Sequence, residues 1–208
     1  MSESDSDKVD LRSEIPRFRP ATPVPAFGEF VDNMRLLQDL AVSVDAPPEV
    51  YSAARDKAAE LVELLAPHRA REGKGPANRS MDLPGRGSLL MPPFHIEKFD
   101  EESVVARGVL RRYHLGGGGV AHGGVLPLIF DDNFGNVVYA AKRPISRTAY
   151  LHVNYRKVTP LDVPLVIEGK VDRVDGRKTF VTARLTEADG TLLADGEGLM
   201  VQLLPGQP

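Results

Sequence analysis

Between residues 123 and 142 apolar side chains, among them Val125, Leu128, Ile129, Phe130, Phe134 and Val138, fall on nearly every side of a helical projection. A helix without a polar face is stable only when other elements surround it, so this chain must wrap the segment. Pro127 falls in the first turn, where backbone donors lack an intrahelical partner, and the helix therefore starts at Gly123 or Gly124. Asp131, Asp132, Asn133 and Asn136 interrupt the apolar run and exclude a membrane span.

The wrapping material lies on both sides. Strands are expected over 89–99 and 104–113 before a glycine loop, and over 148–157, 163–174, 179–187 and 192–203 after the helix. Asp175-Gly176 and Asp189-Gly190 are hairpin turns that join the last three strands into an antiparallel meander. The fold class is α+β, with one dominant helix against an antiparallel sheet.

Phe30, Met34, Leu37 and Ala41 recur on one helical face within 27–41, and Val50, Ala54, Ala58, Leu61 and Leu65 form a second stripe that ends at Pro67. Asp45 before Pro47 and Pro48 reads as the start of the second helix. The two make a helical hairpin whose stripes are suited to packing. Gly73, Gly75, Pro76, Pro84, Gly85 and Gly87 make 69–87 a linker or surface loop. The chain thus divides into a disordered or extended tail over 1–26, the hairpin and linker over 27–87, and the main domain over 88–208.

A formal net charge of −3 gives no basis for general nucleic-acid binding, which needs a basic surface. The absence of cysteine removes disulfides, thiolate metal sites and a cysteine nucleophile, and fits a cytoplasmic protein. An acidic, polar amino terminus is the reverse of a secretory signal. The histidines show no metal-ligand spacing, so no catalytic metal is expected.

The amino end of the apolar helix carries the chemistry. Unpaired N–H groups and the helix dipole stabilise an acyl oxygen as it becomes an oxyanion, and Gly123 and Gly124 let a substrate approach that backbone. The same glycines also serve a tight turn. Asp131 or Asp132 places a carboxylate on a helix that should be buried, where an ionisable group is paired or used; the alternative is that one or both acids sit at an exposed helix edge or accept hydrogen bonds from a neighbouring strand. Spacing does not choose between them. His122 fits a general base, a substrate donor or a cap for its own loop.

His122-Gly123-Gly124, Asp131 nine positions after the histidine, Gly135, and the Thr148-x-x-Leu151-x-Val153-x-Tyr155 pattern together resemble the hotdog-fold thioesterases, in particular the phenylacetate-degradation type. The resemblance covers about 89–204 and implies one long helix wrapped by an antiparallel sheet, with the amino-terminal hairpin added. It implies acyl-CoA hydrolysis with Asp131 as the catalytic carboxylate, activating water as base or attacking the thioester itself, the Gly123 amide polarising the thioester, His122 orienting the acyl group or loop, and Thr148 positioning water. Gly124, Gly116 and Ala149 would line the substrate. Arg156 and Lys157, with Lys142, Arg143 and Arg147, are candidates for the CoA phosphates, although each also reads as a solvated surface charge. No cofactor is implied, since CoA belongs to the substrate. The site would lie between two subunits, making a homodimer the minimum unit and a tetramer the next assembly.

One position departs from the pattern: relatives often carry Asn six residues before the histidine, where this chain has Gly116. Water, His114 or another residue would then cover the thioester. The departure keeps open a second reading, an acyl-CoA or lipid-binding hotdog protein without catalysis. Hydratase chemistry on the same fold fits the motif less well.

Overall fold

The computed structural model describes residues 20–206, so the greater part of the expected 1–26 tail lies outside the described residues. Helix α1 spans Phe27–Ala41 and α2 Pro48–Leu65; the sheet strands are β1 Phe94–Phe99, β2 Val104–Val109, β5 Ser146–Tyr155, β6 Pro164–Asp175, β7 Lys178–Glu187 and β8 Leu192–Gln202. Helix α3 is Val125–Ala140, and a ribbon of β3 Leu115–Gly117 and β4 Val120–Ala121 precedes it.

All six strands pair antiparallel in the order β1-β2-β6-β7-β8-β5, and α3 lies across one face. Alternation along the strands puts Leu165 and Ile167 of β6, Val181, Ala183 and Leu185 of β7, and Ala194 and Met200 of β8 in the core. From the helix they receive Leu126, Ile129, Phe130, Phe134 and Val137, all buried. This is the hotdog fold. Three glycines on the inner face make the approach possible, because a Cβ at Gly196 or Gly198 would lie 2.8 Å from the Phe130 or Phe134 ring, and one at Gly169 only 2.0 Å from Asn133 Oδ1.

Several boundaries move for local reasons. β1 begins at Phe94 rather than 89 because Pro92 and Pro93 have no N–H to contribute to a ladder. β2 stops at Val109, and Arg112–His114 forms a short 3-10 turn where strand was expected. The glycine loop is a two-stranded ribbon, turning at Gly118 and Gly119 with φ of 58° and 80°. Gly123 and Gly124 form a turn ahead of α3, and Ala141 and Lys142 a turn after it.

Both amino-terminal helices are present, but their stripes are not used as expected. In α1 the buried residues are Val31 and Arg35, whereas Leu37 is exposed. The face is turned because Arg35, 1% exposed, donates Nη2 to the carbonyls of Pro84 and Ser88 at 2.8 and 3.0 Å. Asp39 adds a second anchor, accepting from Arg111 Nε at 2.6 Å and the Tyr113 N–H at 3.1 Å. Helix α2 starts at Pro48 with Pro47 as cap rather than Asp45, and buries none of its residues. Val50, Val62, Leu64 and Leu65 face solvent and only Leu61 is half-buried, so packing on this chain does not account for the stripe.

Candidate active site

Asp131 lies one turn and a half into α3 and is exposed, not buried as the apolar helix implied. It accepts a hydrogen bond on Oδ1 from Thr148 Oγ1 at 2.6 Å. A bulge at Ala149 brings the threonine there: Thr148 pairs with Met200 while Tyr150 pairs with Leu199. The extra residue reverses the alternation, so Thr148 shares the helix-facing side with Leu151 and Val153 despite the odd spacing between them. The Thr-x-x-Leu-x-Val pattern is thus the sequence form of a bulge. Ala149, expected to line the substrate, is the residue that makes it.

Asp132 has a different task. Arg86 forks onto it, Nη1 to Oδ2 at 2.9 Å and Nη2 to Oδ1 at 2.5 Å, and Asn136 donates to it at 3.3 Å. The linker expected as a surface loop is therefore docked beside Asp131. Its turn at Pro84–Gly87 holds Gly85, Arg86 and Gly87 at φ of 56°, 53° and 75°, a left-handed run that is strained at Arg86, which has a Cβ. A cavity of about 540 Å³ lies between linker and helix, with Asp131 and Thr148 on one side and Asn78, Arg79 and Arg86 on the other. Arg143 and Arg147 also reach this cavity, whereas Lys142 pairs with Glu101.

At the helix mouth, the Gly124 N–H donates to His122 Nδ1 at 3.0 Å. His122 therefore caps its own turn, and in the neutral ring the proton sits on Nε2. Gly124, expected to serve the substrate, has its amide occupied, while among the described residues no acceptor faces the Gly123 N–H. The Gly123 carbonyl accepts the Tyr155 hydroxyl at 2.8 Å. Tyr155 ends the strand motif, so its signal was present in the sequence although no role was assigned to it. A second cavity of about 350 Å³ opens here, lined by Gly123, Tyr155, Arg156 and Lys157. Arg156 is held by Asp195 at 2.6 Å.

Gly116 is packed on the backbone of His122, whose N–H donates to the His114 carbonyl at 2.7 Å. The His114 ring is held inside the protein: it is 7% exposed, lies tilted against Tyr113 with ring centroids 4.0 Å apart, and accepts the Arg111 N–H on Nδ1 at 2.9 Å. Burial pushes its pKa down to about 4, against the opposing pull of the Asp39 carboxylate.

Gly123 and Asp131 stand eight residues apart, about 12 Å along a helix rising about 1.5 Å per residue. That is several times the separation of about 3–3.5 Å at which reacting atoms meet.

A helix wrapped by an antiparallel sheet, with a glycine turn at its mouth and an acid beside a bulged strand, is a hotdog architecture. A sequence model of the thioesterase superfamily matches residues 118–194. The chain is 32% identical over 91 residues to acyl-coenzyme A thioesterase THEM4 of Mus musculus, covering 43% of this chain and 39% of that protein. With the THEM4 of Bos taurus it shares 31% over 107 residues, covering 51% and 44%. It thus spans less than half the length of these relatives. A crystal structure of a thioesterase superfamily protein superposes with a TM-score of 0.74 at 26% identity, covering 88% of this chain and 93% of that one. A hypothetical thioesterase from Streptococcus pneumoniae, solved with coenzyme A, superposes with a TM-score of 0.50 at 26% identity, over 52% and 86%. Residues 118–194 thus resemble the thioesterase superfamily, on a fold shared with a solved protein of that name.

Proposed function

We propose that the protein hydrolyses an acyl-CoA thioester to a free acid and CoA, and that two copies complete each site. The observation that carries this reading is the Thr148–Asp131 hydrogen bond, which anchors Oδ1 of a carboxylate that lines the cavity and leaves Oδ2 to act as base. Oδ2 takes a proton from a water molecule as its oxygen attacks the thioester carbon. The negative charge that develops on the carbonyl oxygen is met by the Gly123 N–H of the second copy, at the positive end of its helix. Collapse of the tetrahedral intermediate breaks the C–S bond, and the proton held by Asp131 passes to the departing thiolate. Arg156 and Lys157 lie on the Gly123 cavity, where they suit the phosphates of CoA. His122 orients the turn that presents the amide. The histidine-glycine motif and the bulged strand favour the phenylacetate-degradation branch of the superfamily.

Gly116 favours a second reading, acyl-CoA binding without turnover, because no side-chain donor stands at that position. Free-thiol release from a panel of acetyl- to palmitoyl-CoA, phenylacetyl-CoA and 4-hydroxybenzoyl-CoA separates the two. Release that disappears in Asp131→Asn establishes hydrolysis; binding without release establishes the alternative. Sedimentation of the same protein reads the assembly, and a monomer at assay concentration that turns over would overturn the composite site.

A further inference from the structure

The Asp131 cavity is bounded by a segment that the thioesterase match over 118–194 does not include. Residues 72–86 form its outer wall, and this wall is built rather than incidental. Arg35, buried in α1, grips both ends of the Pro84–Gly87 turn through Pro84 and Ser88. The turn aims Arg86 at Asp132, where the two-pronged ion pair closes the wall against α3. Arg79 stiffens the remaining span, donating Nη1 to the Gly73 carbonyl at 2.8 Å while its own carbonyl takes the Ala21 N–H at 2.9 Å.

We propose that the 72–86 segment is the end wall of the acyl pocket and that Arg86 is its latch, so that Arg86 sets the upper limit of acyl length. This rests on the acyl-CoA reading given above. Arg156 and Lys157 place the CoA arm on the Gly123 side of the thioester. The space beyond Asp131 is then left for the acyl group, which runs along Tyr139, Ile145 and Met200 toward Met81 and Arg86. A chain longer than this space meets the wall. An ion pair formed by a planar, doubly donating guanidinium holds it in one geometry, which a lysine does not reproduce.

The test measures kcat/KM of the full chain for straight-chain acyl-CoAs from two to sixteen carbons in wild type, Arg86→Ala and Arg86→Lys. In Arg86→Ala the ratio of kcat/KM for the first poorly used chain length to that for the best is expected to rise at least about tenfold, mainly through KM, with Arg86→Lys in between. An equal loss at every length would overturn the proposal. Met81→Trp fills the wall side of the cavity without touching the latch, and is expected to shorten the preferred chain by two or more carbons. If Arg86→Ala does not fold, an unchanged profile in Met81→Trp overturns the proposal and a shortened one supports it. If wild type shows no turnover, calorimetric Kd values for the same acyl-CoA series decide: a length limit that moves in the variants supports the wall and removes only hydrolysis, whereas length-independent binding removes the wall.

Discussion

Gly116 lies so close to His122 that a Cβ at position 116 would stand 2.6 Å from the His122 Cα and 3.0 Å from its nitrogen. The missing asparagine is therefore a property of the backbone path. In this chain the ribbon of β3 and β4 brings the two segments together where a side chain would have to fit. Gly116→Asn is expected to lower turnover and melting temperature together, since overpacking costs about 1–3 kcal/mol. Higher turnover in this variant would show that the loop can open to receive the amide.

The two neighbouring aspartates should separate cleanly. Asp131→Asn is expected to reduce kcat by about 10²–10⁴, the range for a positioned proton-transfer group, without a change in melting temperature. Thr148→Ala removes a hydrogen bond to a charged group, worth about 1.5–3 kcal/mol or roughly 10–100-fold, and Thr148→Ser restores most of it. Asp132→Asn strips Arg86 of its ionic partner, so it should relax the acyl-length limit as Arg86→Ala does and lower the unfolding midpoint, with kcat for the best chain length near wild type. Equal kinetic losses at Asp131 and Asp132 would contradict this division.

Tyr155→Phe leaves the Gly123 carbonyl without its 2.8 Å donor. One neutral hydrogen bond is worth about 0.5–1.5 kcal/mol, so kcat should fall by about two- to thirteenfold with KM nearly unchanged. A change confined to KM would instead place the hydroxyl in ground-state binding.

Replacing an inner-face glycine forces the helix off the sheet. Gly196→Ala and Gly198→Ala drive a methyl to 2.8 Å from the Phe130 and Phe134 rings, and Gly169→Ala meets Asn133. Each should cost about 1–3 kcal/mol, at about 2–4 °C of melting temperature per kcal/mol for a chain of this size. Thermal unfolding of the three variants checks this, and unchanged midpoints would mean that α3 shifts freely.

His114 is neutral in the folded protein down to about pH 4, whereas its ordinary value is 6.5. Because the folded value is depressed, the unfolded chain binds a proton between those limits that the native state does not. Stability should therefore fall as pH drops from 6.5 toward 4, by about 3 kcal/mol at most. Urea midpoints measured across this window in wild type and His114→Asn, which keeps an acceptor but does not titrate, should diverge progressively. Parallel curves would assign the acid sensitivity elsewhere.

The wrapped helix, the antiparallel meander and the identity of the helix mouth were legible in the residues, because they rest on short-range periodicity and turn chemistry. Residues 125–140 had nowhere to lie except inside a sheet, and Asp-Gly pairs mark both late hairpins. Even the bulge was written in the string, as an odd step between Thr148 and Leu151. Spacing left the two aspartates equal and only the resemblance favoured Asp131; that Asp132 takes an arginine from 46 positions away, or that α1 buries Arg35 rather than Leu37, was not legible. The sequence did not tell that His122 spends the Gly124 amide, or that a linker becomes the wall of a cavity. Periodicity is a property of neighbours on one element, whereas these pairings exist only once chain closure brings distant polar groups within about 3 Å and burial obliges each to find a partner.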